Sequence, residues 1–138
     1  MAGEKTILKL RKEFSFLKKE NGVLAVLVFG SFAKGEKGPR DIDVCIVVPG
    51  KNCKEVMGEV YKHMDVGARK YDVYCFEELP LYLRWEIIDN HRIIWSRNKG
   101  DLYEYFYFFR KLQAEQKHRM ELTEKDVLGM LRASVARG

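Results

Sequence analysis

The sequence predicts an α+β fold, a small mixed β-sheet covered by helices and followed by further helices. Three observations predict it. Short β-branched runs alternate with segments of helical period. Glycine and proline punctuate the joints between them. No internal repeat, long linker or low-complexity tract interrupts the 138 residues, so one domain over 1–138 is the expectation. Its core is expected at about 22–97, with a helical extension over about 101–138.

The elements follow in order. Ile7, Leu10, Phe14 and Leu17 fall at helical spacing within Thr6 to Lys19, and Asn21-Gly22 supplies a stop. Val23 to Phe29 is short, apolar and β-branched, as a central strand buried on both faces requires. Gly30 to Gly38 leaves room for one helical turn. Asp41 to Val48 reads as a second strand, closed by Pro49-Gly50. Cys53 to Met64 puts Val56, Val60 and Met64 on one helical face. Tyr71 to Phe76 is a third strand, and Leu79 to Asp89 a helix with Pro80 in its first turn. His91 to Ser96 is a short fourth strand. Two helices close the chain: one from Asp101 to about Arg119, a second from Thr123, where Thr123 and Asp126 resemble a capping box.

Bulk properties exclude several classes. A composition 46% hydrophobic and 33% charged argues against disorder. The longest apolar run, Val23 to Phe29, is far too short to cross a bilayer. Met1 to Glu20 has no apolar stretch like that of a secretory signal, so the expected location is the cytoplasm, away from membranes. The net charge of +5 suits a phosphate-bearing ligand, but acids interrupt the bases everywhere, so nucleic-acid binding is not specifically indicated. Cys45, Cys53 and Cys75 show no Cys-x-x-Cys pair and no zinc spacing; Cys45 and Cys75 read as buried strand residues. His63, His91 and His118 are isolated, which favours structural or surface roles. Abundant Lys and Glu beside 2 Gln hint at a thermophilic source.

The informative segment runs from Phe29 to Val44. Gly30 lets the backbone approach a ligand closely. Ser31 offers a hydroxyl and an amide where a short helix begins, a setting that favours phosphate. Lys34 and Lys37 add positive charge. Asp41 and Asp43, two apart on a strand, project from one face while Ile42 and Val44 turn to the core. Carboxylates that close repel unless a cation sits between them. Magnesium, with its demand for oxygen ligands and its habit of binding substrate phosphates, is the natural occupant. Asp72 is a third acid, set inside an apolar strand where it wants a partner or a cation. The bland alternatives are a solvated pair beside a turn for Asp41 and Asp43, and an aggregation-blocking edge charge for Asp72.

Gly30-Ser31, nine further residues and then Asp41-Ile-Asp43 together resemble the signature of the DNA polymerase beta-like nucleotidyltransferase superfamily, with Asp72 where that family has its third carboxylate. The small size resembles its minimal nucleotidyltransferase branch. The resemblance spans about Leu24 to Ser96 and implies a polymerase beta-like palm. It implies that Gly30, Ser31 and Lys34 bind a nucleoside triphosphate, most naturally ATP. Asp41, Asp43 and Asp72 would hold two magnesium ions, Asp72 helping to activate an acceptor hydroxyl. Arg40 stands where members often have Ser. Many minimal members pair as antitoxins with HEPN-domain toxins, and some adenylylate a toxin tyrosine.

Leu102, Tyr105, Phe106, Phe109 and Leu112 form one broad apolar helical face, with Tyr103 and Tyr107 on another side. The expected cover for these rings is the final helix or a partner chain. Little chain remains to build an acceptor pocket, so the acceptor is expected to be a macromolecule, such as a HEPN-type toxin, or to bind across a homo-oligomer interface. The alternative reading is a non-catalytic antitoxin or interaction module with a vestigial nucleotide site. A small-molecule nucleotidyltransferase is a third, disfavoured by the lack of an additional acceptor-binding region.

Overall fold

The computed structural model describes residues 2–35, 42–50, 52–64 and 71–137. Four strands, β1 (Ala25–Phe29), β2 (Ile42–Val47), β3 (Tyr71–Cys75) and β4 (Arg92–Ser96), form one sheet in the order β3-β2-β1-β4. β1 pairs antiparallel with β2 and β4, and β2 pairs parallel with β3. The sheet is therefore mixed, as expected. The parallel pair follows from chain order: helix α3 (Cys53–His63) lies between β2 and β3 and supplies the crossover that two parallel strands need. β1 has neighbours on both sides and four buried residues of five, which explains its unbroken apolar run.

Strand alternation gives the sheet two unlike faces. One presents Val26, Val28, Val44, Ile46, Ile94, Tyr71 and Cys75 to the main core. Helix α1 (Ala2–Glu13) and the turn after it contribute Ile7, Leu10, Phe14 and Leu17, and α3 contributes Val56, Val60 and its flanking Met64. Fully burying a side chain such as Leu10 or Leu17 stabilises by about 1.5–3 kcal/mol. The other face presents Ala25, Leu27, Cys45 and Val47, all buried, and toward one end Phe29, Asp43, Asp72 and Tyr74. This second face positions the candidate site.

The first helical segment behaves as its spacing predicts, but its geometry changes midway. α1 ends at Glu13, and Ser15–Lys19 continues as a 3-10 turn. Ser15 Oγ donates to the Lys12 carbonyl at 2.7 Å, the kind of local bond by which serine competes with the helical ladder. Arg97 then donates to the carbonyls of Val23, Lys18 and Glu20, holding this turn beside the end of β4. Helix α2 is a single turn, Gly30–Ala33, and α4 spans Leu81–Asp89 with Pro80 just before its start.

One expectation is corrected. The final two helices are a single helix, α5 (Lys99–Arg137), of 39 residues. Thr123 does not begin a new element. A capping pattern stops a helix only where the chain also departs from helical geometry, and no glycine or proline near Thr123 forces that departure. Leu102, Phe106 and Phe109 are buried, as the apolar face predicts. Tyr103 and Tyr107 are exposed among the described residues, not covered as expected by a separate last helix. The chain comprises two compact units, 1–103 and 104–138.

Candidate active site

The site is built where β1 stops. Phe29 is extended, and Gly30 then turns the chain into α2 with φ of +71°, a conformation that favours glycine. In the β1–β2 ladder Phe29 lies opposite Asp43, which brings the turn against that acid. A Cβ added at Gly30 would collide with Asp43 Oδ2. Glycine thus suits the backbone angle, and its missing Cβ leaves the space that the carboxylate occupies. Ser31, half-buried, follows in the same turn.

Asp43 lies directly opposite Asp72 in the parallel β2–β3 ladder. Paired residues of neighbouring strands share a face, and their backbones are about 4.8 Å apart. Phe29, Asp43 and Asp72 therefore form a row across three strands, with Gly30 at its end. Asp43 is half-buried, while Asp72 is exposed on β3, an edge strand. Asp41 lies outside the described residues. A hard divalent ion takes oxygen donors, and carboxylates that converge on one stabilise it. Asp43 and Asp72 are oxygen donors of the kind such an ion takes.

Lys34 ends α2, its N–H bonded to the Gly30 carbonyl. Its Nζ lies 3.1 Å from Glu86 Oε1 on α4, and both side chains are about half exposed. Sequence spacing gave no signal for that partner. Nor did it signal the aromatic neighbours of the acids: Tyr74 lies two residues beyond Asp72, and its ring centroid is 5.8 Å from that of Phe29. The period-2 rule applied to Tyr71 to Phe76 does put Tyr74 on the face of Asp72.

Among the described residues, the cluster of Cys, His, Asp and Glu atoms within reach of a common ion is a different one: Cys53, Cys75 and Glu77. There the two sulfurs are joined as a disulfide. Glu77 Oε1 accepts a hydrogen bond from the Val48 N–H at 2.9 Å and lies 3.8 Å from Cys75 Sγ. Cysteines 22 positions apart have no local motif, and they meet only because α3 and β3 pack together. Cys45 and Cys75 are buried strand residues, as expected. Burial, with the Glu77 carboxylate adding to it, pushes the Cys45 thiol well above its ordinary pKa. Among the described residues, no helix is long and apolar enough to cross a membrane.

A family model described as polymerase beta, nucleotidyltransferase, matches residues 12–100. A Methanocaldococcus jannaschii protein with the provisional name of protein adenylyltransferase is 40% identical over 100 residues, covering 71% of this chain and 75% of its own. A chain from the crystal structure of the toxin–antitoxin pair MntA-HepT superposes with a TM-score of 0.56 at 14% identity, covering 92% of this chain and 97% of its own. One from the tri-AMPylated Shewanella oneidensis HEPN toxin in complex with MNT antitoxin gives 0.54 at 16% identity, covering 86% and 96%. One from a toxin–antitoxin structure with AMP-PNP gives 0.55 at 17% identity, covering 80% and 95%. At such identities the likeness is one of fold.

Proposed function

The chain belongs to the polymerase beta nucleotidyltransferase family, and from that premise we propose that it transfers a nucleoside monophosphate from ATP to a hydroxyl of a partner protein. The observation that supports this most is the register of Asp43 against Asp72, beside a glycine turn whose lost Cβ makes room for Asp43. The provisional adenylyltransferase name of the relative favours adenine as the base. The toxin–antitoxin neighbours, one with an AMPylated HEPN toxin, favour a HEPN-type toxin as acceptor and this chain as its antitoxin; a tyrosine as the modified group is what the resemblance to minimal nucleotidyltransferases implies.

In this reading the Gly30-Ser31 turn seats the triphosphate. Asp43, with Asp41, and Asp72 are the carboxylates that would hold two magnesium ions, which would neutralise phosphate charge. Asp43 follows the phosphate turn in space and serves the triphosphate side. Asp72 reaches the same row from the exposed edge strand, where an incoming macromolecule has access, and accepts the acceptor's proton. The acceptor oxygen bonds to the α-phosphorus, the bond from that phosphorus to the bridging oxygen breaks, and pyrophosphate leaves. Lys34 meets phosphate once it leaves Glu86.

The test combines calorimetry with ATP and magnesium and single-turnover transfer from α-labelled ATP to a HEPN-type partner. Asp72→Asn is expected to retain triphosphate affinity and to lose about 10²- to 10⁴-fold in transfer, the usual range for a general base. Asp43→Asn is expected to lose both. Wild-type transfer by Asp72→Asn would reduce that acid to a surface charge. ATP binding without any transfer by the wild-type chain would favour the non-catalytic antitoxin.

A further inference from the structure

We propose that Cys53 and Cys75 form a reversible thiol-oxidation site, closed by a low-molecular-weight disulfide and opened by thiol reductants, which fastens the edge strand β3 to helix α3 and so tunes transfer. The two Cα atoms lie 6.3 Å apart, within the span a disulfide bridges. Cys53 is the first residue of α3 and Cys75 the last of β3. These positions give the bridge its mechanical consequence. Among the described residues β3 is at the edge of the sheet and pairs with β2 alone, through a five-pair parallel ladder. A covalent bond at its C-terminal end adds a second fastening to the strand that bears Asp72, three residues earlier.

The positions also assign the two thiols different parts. Cys53 opens an 11-residue helix, where unpaired N–H groups and the helix dipole favour a thiolate. The Glu77 carboxylate lies within 4.8 Å of both sulfurs and disfavours a thiolate at either, so the helix start alone sets Cys53 apart. Cys53 is thus the first nucleophile. Its thiolate attacks one sulfur of the small disulfide and expels one small thiolate. Cys75, deprotonated, then attacks Cys53 Sγ in the mixed disulfide and expels the second. Two electrons pass to the small disulfide, and the two protein protons end on the two small thiols. Cys53 is 7% exposed and Cys75 3%, so each exchange passes through a local opening and the closed bridge is long-lived. Cys45, on the opposite face of the sheet with its thiol held protonated by burial, takes no part.

The experiment equilibrates the full chain across ratios of reduced to oxidised glutathione and reads differential alkylation by peptide mass spectrometry. Cys53 and Cys75 are expected to become protected together, with Cys45 unlinked. Opening the bridge is expected to lower Tm by on the order of 10 °C, from the 22-residue separation it closes. Amide exchange in β3 should accelerate at least about tenfold. Cys53→Ser should behave as the reduced chain in every buffer, and Cys45→Ser as wild type; reduced wild-type protein serves the same comparison should Cys53→Ser fold poorly. Independent alkylation of the two cysteines at all ratios overturns the proposal. So does stoichiometric zinc on the freshly purified reduced chain, which would make Cys53, Cys75 and Glu77 a metal site. The effect on transfer rests on the nucleotidyl-transfer reading, and the bridged form is expected to transfer faster. Equal, measurable transfer from both forms overturns the coupling. Absent transfer from both, with the alkylation and melting responses intact, counts against that reading and leaves the bridge standing.

Discussion

Replacing Gly30 by alanine separates the backbone role of this residue from its role beside the acid, because the chain contains its own control. Gly30 and Gly35 share the left-handed region, with φ of +71° and +75°. Among the described residues a Cβ at Gly35 meets nothing within 4 Å, whereas one at Gly30 meets Asp43 Oδ2. Each alanine therefore pays the conformational penalty, about 1–2 kcal/mol for a residue with a Cβ in this region. Only Gly30→Ala also displaces a carboxylate. Asp43 is half-buried, so its side chain has somewhere to go, and the added cost to folding is small. Its cost to the site is not: a misplacement of about 1 Å in a reacting assembly loses on the order of 10²-fold. Urea denaturation is expected to give similar losses of about 1–2 kcal/mol for both variants. Calorimetry with ATP and magnesium, followed by single-turnover transfer, should show Gly35→Ala near wild type and Gly30→Ala down by about 10²-fold in transfer. Equal function in the two variants would refute the argument that Gly30 exists to make room for Asp43. A loss of more than about 4 kcal/mol in Gly30→Ala alone would show instead that the collision is absorbed by the fold.

Two further outcomes follow from single contacts. Glu86→Gln releases Lys34 from its ion pair, and an exposed pair of this kind holds about 0–1 kcal/mol; ATP affinity by calorimetry should rise by up to about fivefold, and fall in Lys34→Ala, whereas no change in either variant would remove Lys34 from the site. The Cys45 thiol, raised by burial and then by Glu77, contributes stability that is complete below the unfolded thiol pKa and is lost as pH rises above it. Between about pH 8.5 and the folded value the loss should approach 1.4 kcal/mol per pH unit. Denaturation of wild type and Cys45→Ala from pH 7.5 to 10 should show their difference shrinking with pH; a constant difference would contradict the assignment.

The residues that repeat at a local period were legible without coordinates. Ile7, Leu10, Phe14 and Leu17 lie on one helical face and are all buried, and the unbroken run ending at Phe29 is the central strand it resembles. The alternation in Tyr71 to Phe76 was enough to mark Asp72 as an acid in a strand, and Gly30-Ser31 with Asp41 and Asp43 was enough to suggest the chemistry. Helix continuity past Thr123 is not legible locally, because a capping pattern does not reveal whether the backbone leaves the helix. What only the tertiary structure decided is which neighbours meet across the sheet. Register, a property of two strands and of neither alone, sets Asp72 opposite Asp43, and the turn after β1 brings Gly30 against the same carboxylate. The meetings of Cys53 with Cys75 and of Lys34 with Glu86 depend on crossovers of 22 and 52 positions in the chain. No local rule reaches so far, because the contact forms only after hydrophobic burial has packed the intervening helices onto the sheet.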